Sequence, residues 1–205
     1  MAPHPLRVLS LCSGVGALDL GVRIAVPHAR TVLYVEREAH AAAVLAARME
    51  EGSLDPAPIW SDLATLDGSR WRGAVDLIVG GFPCQPASVA GERRGRADER
   101  WLWPAFARVV RDVGPGLVFV ENVPGLLADG LLGDVLGDLA SFGFDAEWGV
   151  YSAAEVGASH LRERLFVLAY AGCEWLDRLQ PEPITGRVGA TVLGGGSEKV
   201  ADTER

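Results

Sequence analysis

Short apolar runs alternate with stretches of helical spacing along the first 171 residues of the chain. Residues 7–11 (RVLSL) form a run short and apolar enough for a buried strand, followed by a glycine turn and a helical segment. Residues 31–36 (TVLYVE) repeat the strand signal, and alanine-rich residues 39–49 read as a helix. The segment APIWSDL is a weaker strand ending in a carboxylate, while VDLIVGGF is continuously apolar and closed by glycines, as expected of a strand covered on both faces. WLWPAFARVVRDVG has helical spacing with Pro104 in its first turn. GLVFVENV is another buried strand, LLGDVLGDLASFG another helix, and FDAEWGVYSA and RLFVLAYA complete the set as two final strands.

Strands alternating with helices predict an α/β domain around a mostly parallel sheet with right-handed crossovers. Ligands of such sheets sit beyond the carboxyl ends of the strands. The polar or glycine punctuation follows the strands at residues 12–16, Glu36, Asp62, 82–85 and 121–122, so all five are expected along one rim. The pattern dissolves after residue 171. Residues 1–171 are therefore read as one domain, and residues 172–205, glycine-rich and then charged, as a partly disordered tail.

Composition narrows the class. No apolar run approaches the roughly 18 residues of a membrane span, and the amino terminus lacks the pattern of a signal peptide. Three cysteines, Cys12, Cys84 and Cys173, are an odd number without metal-type spacing and fit a reduced, cytoplasmic protein. A formal charge of −8 argues against a non-specific nucleic-acid coat, though not against a local basic face.

The chemistry concentrates at a few points. CSGVGALDLG is a glycine turn after a strand, but Asp19 stands where a dinucleotide fingerprint would carry its third glycine. It fits a structural turn as well as a cofactor turn. Glu36 ends the second strand, where a carboxylate can accept from ribose hydroxyls or sit at a helix N-terminus. Asp62 can take an adenine amino group or cap a turn. Cys84 lies between Pro83 and Pro86 in GGFPCQPAS, a loop stiffened on both sides because proline fixes φ and lacks an N–H. Glu121 closes an apolar strand, where partial desolvation suits a group that carries a proton. His160, Arg162 and Arg164 alternate in ASHLRERLF, and on a strand all three would share one face.

GGFPCQPAS with ENVPGLL downstream, LCSGVGALDLG upstream and HLRERLF after both, in that order, resembles the DNA (cytosine-5)-methyltransferase family. The resemblance runs from Arg7 to Ala171. It implies a Rossmann-like S-adenosylmethionine-dependent methyltransferase fold whose mostly parallel sheet has an antiparallel last strand. It implies Cys84 as the nucleophile that adds to carbon 6 of a cytosine flipped out of double-stranded DNA, and Glu121 as the group that holds and protonates ring nitrogen 3. Arg164 matches the family arginine beside that glutamate and Arg162 its partner. The implied S-adenosylmethionine contacts fall on Cys12, Ser13, Gly14, Gly16, Glu36, Arg37, Asp62, Leu63, Pro83 and Leu102. A bacterial or phage-encoded cytoplasmic enzyme follows from the same match.

Three departures qualify the match. Ser10 and Cys12 stand where the family more often has aspartate and phenylalanine, which implies weaker stacking on adenine. His160 replaces the usual glutamine but retains a donor. GERRGRADERWLW, with Arg93, Arg94, Arg96 and Arg100, reads either as a solvated loop or as a lid over DNA phosphates. No target-recognition region is evident after Ala171, and phosphate contacts alone give no sequence specificity. The sequence thus leaves three readings: a methyltransferase core completed by a second polypeptide or by residues beyond this chain, a non-catalytic remnant that binds the cofactor or a partner, or a nucleotide-dependent oxidoreductase with Cys84 as a redox thiol.

Overall fold

A computed structural model describes residues 4–83 and 101–179. Seven strands form one sheet in the order β3-β2-β1-β4-β5-β7-β6. They are β1 (Leu6–Leu11), β2 (Ala29–Val35), β3 (Ile59–Trp60), β4 (Leu77–Gly80), β5 (Leu117–Asn122), β6 (Asp145–Ser152) and β7 (Glu163–Tyr170). The first five are parallel; β7 runs antiparallel to both β5 and β6. Helices are α1 (Ala17–Ala25), α2 (Ala39–Glu50), α3 (Trp103–Val113), α4 (Leu131–Ser141) and α5 (Cys173–Asp177).

The apolar runs are continuous because both faces are covered. Leu9, Leu11, Ile78, Val118, Val120, Leu165 and Val167 face a core closed by α3 and α4. Leu6, Val8, Leu77, Val79 and Leu117 face the other way, toward α1 and α5. Tyr34, Leu45 and Leu54 make a smaller third cluster with α2. In α3, Trp103, Phe106, Val109, Val110 and Val113 are buried at helical spacing, and Pro104 occupies the first turn where its missing N–H has no partner to lose.

Two differences from the sequence reading have clear causes. β7 begins only at Glu163, so His160 and Arg162 precede the strand and do not share a strand face with Arg164. The ladder stops there because the β6–β7 connection is closed on itself. Ser152 and Glu155 form a reciprocal capping box, Ala153 N–H donates to the Leu161 carbonyl at 2.7 Å, and Arg162 adopts a left-handed φ of 32°. The chain also stays folded past Ala171. Trp175 lies against Gly116, where a side chain would collide with its ring, and Arg178 stacks on Trp175 and donates to Asp76 at 3.1 Å.

Candidate functional site

Parallel strands β1 to β5 all end on one rim, and backbone contacts knit their exits together. The turn after β1 takes left-handed backbone at Cys12, Gly14 and Gly16. At Gly16 this is enforced by packing, because a Cβ would stand 2.5 Å from Leu54, whereas a Cβ on Gly14 would meet nothing within 4 Å. The turn is therefore tight beneath and open above. Glu36, at the end of β2, accepts from Gly14 N–H on one carboxylate oxygen and from Glu38 N–H on the other, both at 2.7 Å. Each oxygen keeps a second lone pair. Helix α2 is capped instead by Glu38, which accepts from Ala41 N–H.

The other positions expected from the resemblance to touch a cofactor stand in varied surroundings. The Ser13 hydroxyl is buried and tied to the Ser10 and Val35 backbone, so it joins β1 to β2 instead of facing the rim. Burial, aided by the Glu36 charge, pushes the Cys12 thiol up to about 12, which leaves it inert near neutral pH. Arg37 is exposed. Asp62 caps the short turn after β3 by accepting from Ala64 N–H at 2.9 Å. Leu63 is buried behind it, and Leu102 is half-buried at the start of α3.

The turn after Asp62 is held by a residue that no motif marks. Arg108, on α3, donates to the carbonyls of Leu63 and Leu66, each at 2.8 Å. Asp19 was visible only as a missing glycine. It is 4% exposed and accepts from the Ser10 hydroxyl at 2.9 Å and the Thr31 hydroxyl at 3.3 Å. Burial pushes its carboxyl up to about 6 despite those bonds. The serine at position 10 and the aspartate at 19 thus form one buried unit under the glycine turn.

The exits of β4 and β5 meet. Glu121 Oε1 is 2.6 Å from Arg164 Nε, with the two side chains 30% and 24% exposed. The glutamate is therefore partly open and charge-paired, not isolated in apolar surroundings. Glu121 also lies over Gly81, where a Cβ would come within 2.8 Å of Oε2. Asn122 donates to the Phe82 carbonyl at 3.0 Å. The Phe82 ring packs against Trp101, Trp103 and Phe106 with centroids 5.4–5.8 Å apart. Pro83 is exposed at the end of this segment. Cys84, Gln85 and the four arginines of the suggested lid lie outside the described residues.

A cavity of about 470 Å³ opens away from this rim, at the amino ends of β1 and β4, lined by His4, Pro5, Arg7, Asp76 and Arg178. Burial works against the Asp76 charge there, but hydrogen bonds from Arg7 and Arg178 outweigh it and hold the carboxyl below the usual range. That cluster ties the segment around Arg178 to the sheet and carries none of the rim groups.

A doubly wound sheet in this strand order, with a carboxylate over the glycine turn and a Glu–Arg pair at the β4/β5 exit, defines a Rossmann-like methyltransferase fold. The C-5 cytosine-specific DNA methylase family matches residues 6–182, and the chain belongs to that family. It is 32% identical over 165 residues to the type II methyltransferase M.NgoMIV of Neisseria gonorrhoeae, covering 78% of this chain and 50% of that protein. It is 35% identical over 176 residues to M.PspPI of Psychrobacter sp., covering 82% of this chain and 41% of the relative. The structure of the Entamoeba histolytica methyltransferase EhMeth shares the fold, with a TM-score of 0.68 at 16% identity over 82% of this chain and 53% of that one. The chain spans about half the length of the curated relatives it matches.

Proposed function

We propose that the chain carries the catalytic apparatus for methylating carbon 5 of cytosine in double-stranded DNA. The observation that carries this reading is the Glu121–Arg164 pair at 2.6 Å, set over Gly81 at the exit of the strand that leads into Pro83 and Cys84.

The rim fits S-adenosylmethionine: open space over Gly14 and a carboxylate with free acceptor capacity at Glu36 suit an adenosyl group and its ribose hydroxyls. Gly14, Gly16, Glu36, Arg37 and Asp62 would hold it, with Cys12, Leu63, Pro83 and Leu102 as flanking surface and Ser13 as the clamp beneath. When bound, the cofactor supplies an electrophilic methyl group for carbon 5.

The chain's own residues make that carbon reactive. The Cys84 thiolate forms a sulfur–carbon 6 bond, and the pair from the ring double bond moves toward nitrogen 3. Glu121 takes up a proton from solvent and delivers it to that nitrogen, and Arg164 orients the carboxyl group. Once carbon 5 is methylated, its proton leaves to solvent base, the ring double bond re-forms and the Cys84 sulfur departs. Nitrogen 3 returns its proton to Glu121. The base must leave the stack to reach the thiol, at about a few kcal/mol that DNA contacts have to offset.

The test uses duplexes containing 5-fluorocytosine at low salt, with labelled S-adenosylmethionine. Fluorine cannot leave carbon 5 as the proton does, so a covalent protein–DNA adduct accumulates. The adduct should form with the chain and vanish in Cys84→Ser. Cofactor binding without any adduct would defeat the proposal in favour of a non-catalytic binding module.

A further inference from the structure

Strand β3 is two residues long and lies at the edge of the sheet, paired with β2 through Tyr34–Ile59 and Val35–Trp60. The chain leaves it through Asp62 into a single 3₁₀ turn, Leu63–Thr65. The backbone bonds of that turn are loose: Thr65 N–H donates to the Asp62 carbonyl at 3.1 Å, and Leu66 N–H to the Leu63 carbonyl at 3.4 Å. A turn of this kind has poor internal hydrogen-bond geometry. Its place at the rim is set by what surrounds it.

Side chains hold the turn from two directions. From the strand, the Trp60 indole N–H donates to the Asp62 carbonyl at 3.0 Å and to the Thr65 hydroxyl oxygen at 3.1 Å. From α3, the Arg108 guanidinium donates to the carbonyls of Leu63, Ala64 and Leu66 at 2.8, 3.3 and 2.8 Å. Asp112, one helical turn along α3, lies 3.6 Å from the same guanidinium. Phe106, Val109, Val110 and Val113 anchor α3 in the core, so Arg108 passes the rigidity of the core to an edge turn. A planar fork can meet several carbonyls at once, which a lysine ammonium on a flexible stem does not. Ala64 is the link to the rim. Its carbonyl receives Arg108, and its N–H donates to Asp62 Oδ1 at 2.9 Å, while Oδ2 has no donor among the described residues.

We propose that Arg108 is the positioning residue for recognition of the purine amino group of the cofactor, aiming the open Asp62 oxygen through the turn it clamps. This rests on the reading of Asp62 as a cofactor group. Glu36, the ribose-side carboxylate, is fixed to the same strand exit, since its N–H donates to the Trp60 carbonyl at 2.9 Å. A hydrogen bond weakens steeply once its distance or angle is spoiled. An Asp62 that drifts with an unclamped turn therefore loses its hold on the amino group before anything else at the site is disturbed.

The experiment measures by calorimetry the binding of S-adenosylhomocysteine, the demethylated cofactor, and of its analogue with hydrogen in place of the 6-amino group. The wild-type chain is compared with Arg108→Ala, Arg108→Lys and Asp62→Ala. The wild type should prefer the amino ligand by about 10- to 100-fold, the worth of one hydrogen bond to a charged group. Arg108→Ala should bring that preference to within about threefold, by weakening the amino ligand and leaving the other nearly unchanged. Arg108→Lys should fall between, because one ammonium cannot serve three carbonyls. Equal weakening of both ligands marks a merely structural role and overturns the proposal, as does a full preference kept in Arg108→Ala. Should the alanine variant fail to fold, a wild-type preference in Arg108→Lys overturns it instead. A wild type that binds both ligands alike, or an Asp62→Ala variant that keeps the preference, overturns the Asp62 reading and this one with it, which separates the two failures.

Discussion

Arg164 reaches Glu121 at 2.6 Å from a strand that runs the opposite way, and the two residues are not directly opposed. Phe166 is the register partner of Glu121, so the guanidinium comes in diagonally from the rim end of β7. The pair is partly exposed, and such pairs contribute about 0–1 kcal/mol to stability. Its value lies in orientation. Arg164→Ala should melt within a few degrees of the wild type, as about 1 kcal/mol at most implies. Glu121→Gln keeps the shape but removes the transferable proton, and adduct formation should slow by about 10²- to 10⁴-fold. A Gln variant that forms the adduct at the wild-type rate would remove Glu121 from the chemistry.

The two glycines ahead of Phe82 should behave differently. A Cβ on Gly80 would collide with the Leu11 carbonyl and come within 2.7 Å of Phe106, so Gly80→Ala should unfold the sheet centre, at about 3 kcal/mol or more. A Cβ on Gly81 meets the Glu121 carboxylate, which can swing aside. Gly81→Ala should therefore fold and bind cofactor, yet lose about tenfold or more in adduct rate as Glu121 is displaced. Thermal melts paired with trapping kinetics separate the two. Equal melts for both variants would contradict this packing.

At the other end of the rim, Glu36 receives two backbone N–H groups that have no equivalent partner in an alanine variant. Glu36→Ala should weaken S-adenosylmethionine binding by about 10- to 100-fold, the worth of one or two hydrogen bonds to a charged group. Calorimetry on the folded variant measures it directly, and unaltered affinity would exclude Glu36 from the cofactor site.

Asp19 gives a pH signature of definite sign. Its folded carboxyl is raised to about 6, so between pH 4 and 6 the native state binds more protons than the unfolded chain. Its contribution is present at low pH and is lost as pH rises through about 6. The full span is on the order of 3 kcal/mol. Asn at this position keeps partners for Ser10 and Thr31 without a charge. Denaturant melts of Asp19→Asn should thus gain on the wild type as pH climbs from 4 to 7, and a constant difference would argue against a buried carboxyl.

Much of this was legible in the chain alone. The run and helix periods placed the strands and helices, since burial on two faces leaves a continuous apolar signature and a half-covered helix leaves a 3.6-residue one. Their alternation implied a parallel sheet, and a parallel sheet gathers its polar exits on one rim, which is where Gly14, Glu36, Asp62, Pro83 and Glu121 stand. The sequence order of four short motifs pointed to the family. What it could not supply is every contact between residues distant along the chain: Asn122 with Phe82, Arg108 with Leu63, Asp19 with Thr31, Gly81 beneath Glu121. Nor could it show that the β6–β7 turn closes early and leaves Arg162 off the strand, or that Trp175 and Arg178 pack the chain past Ala171 onto the sheet. Local periodicity reports which side of a residue is dry. Which partner it meets there depends on strand order and register, and those exist only once the whole sheet has assembled.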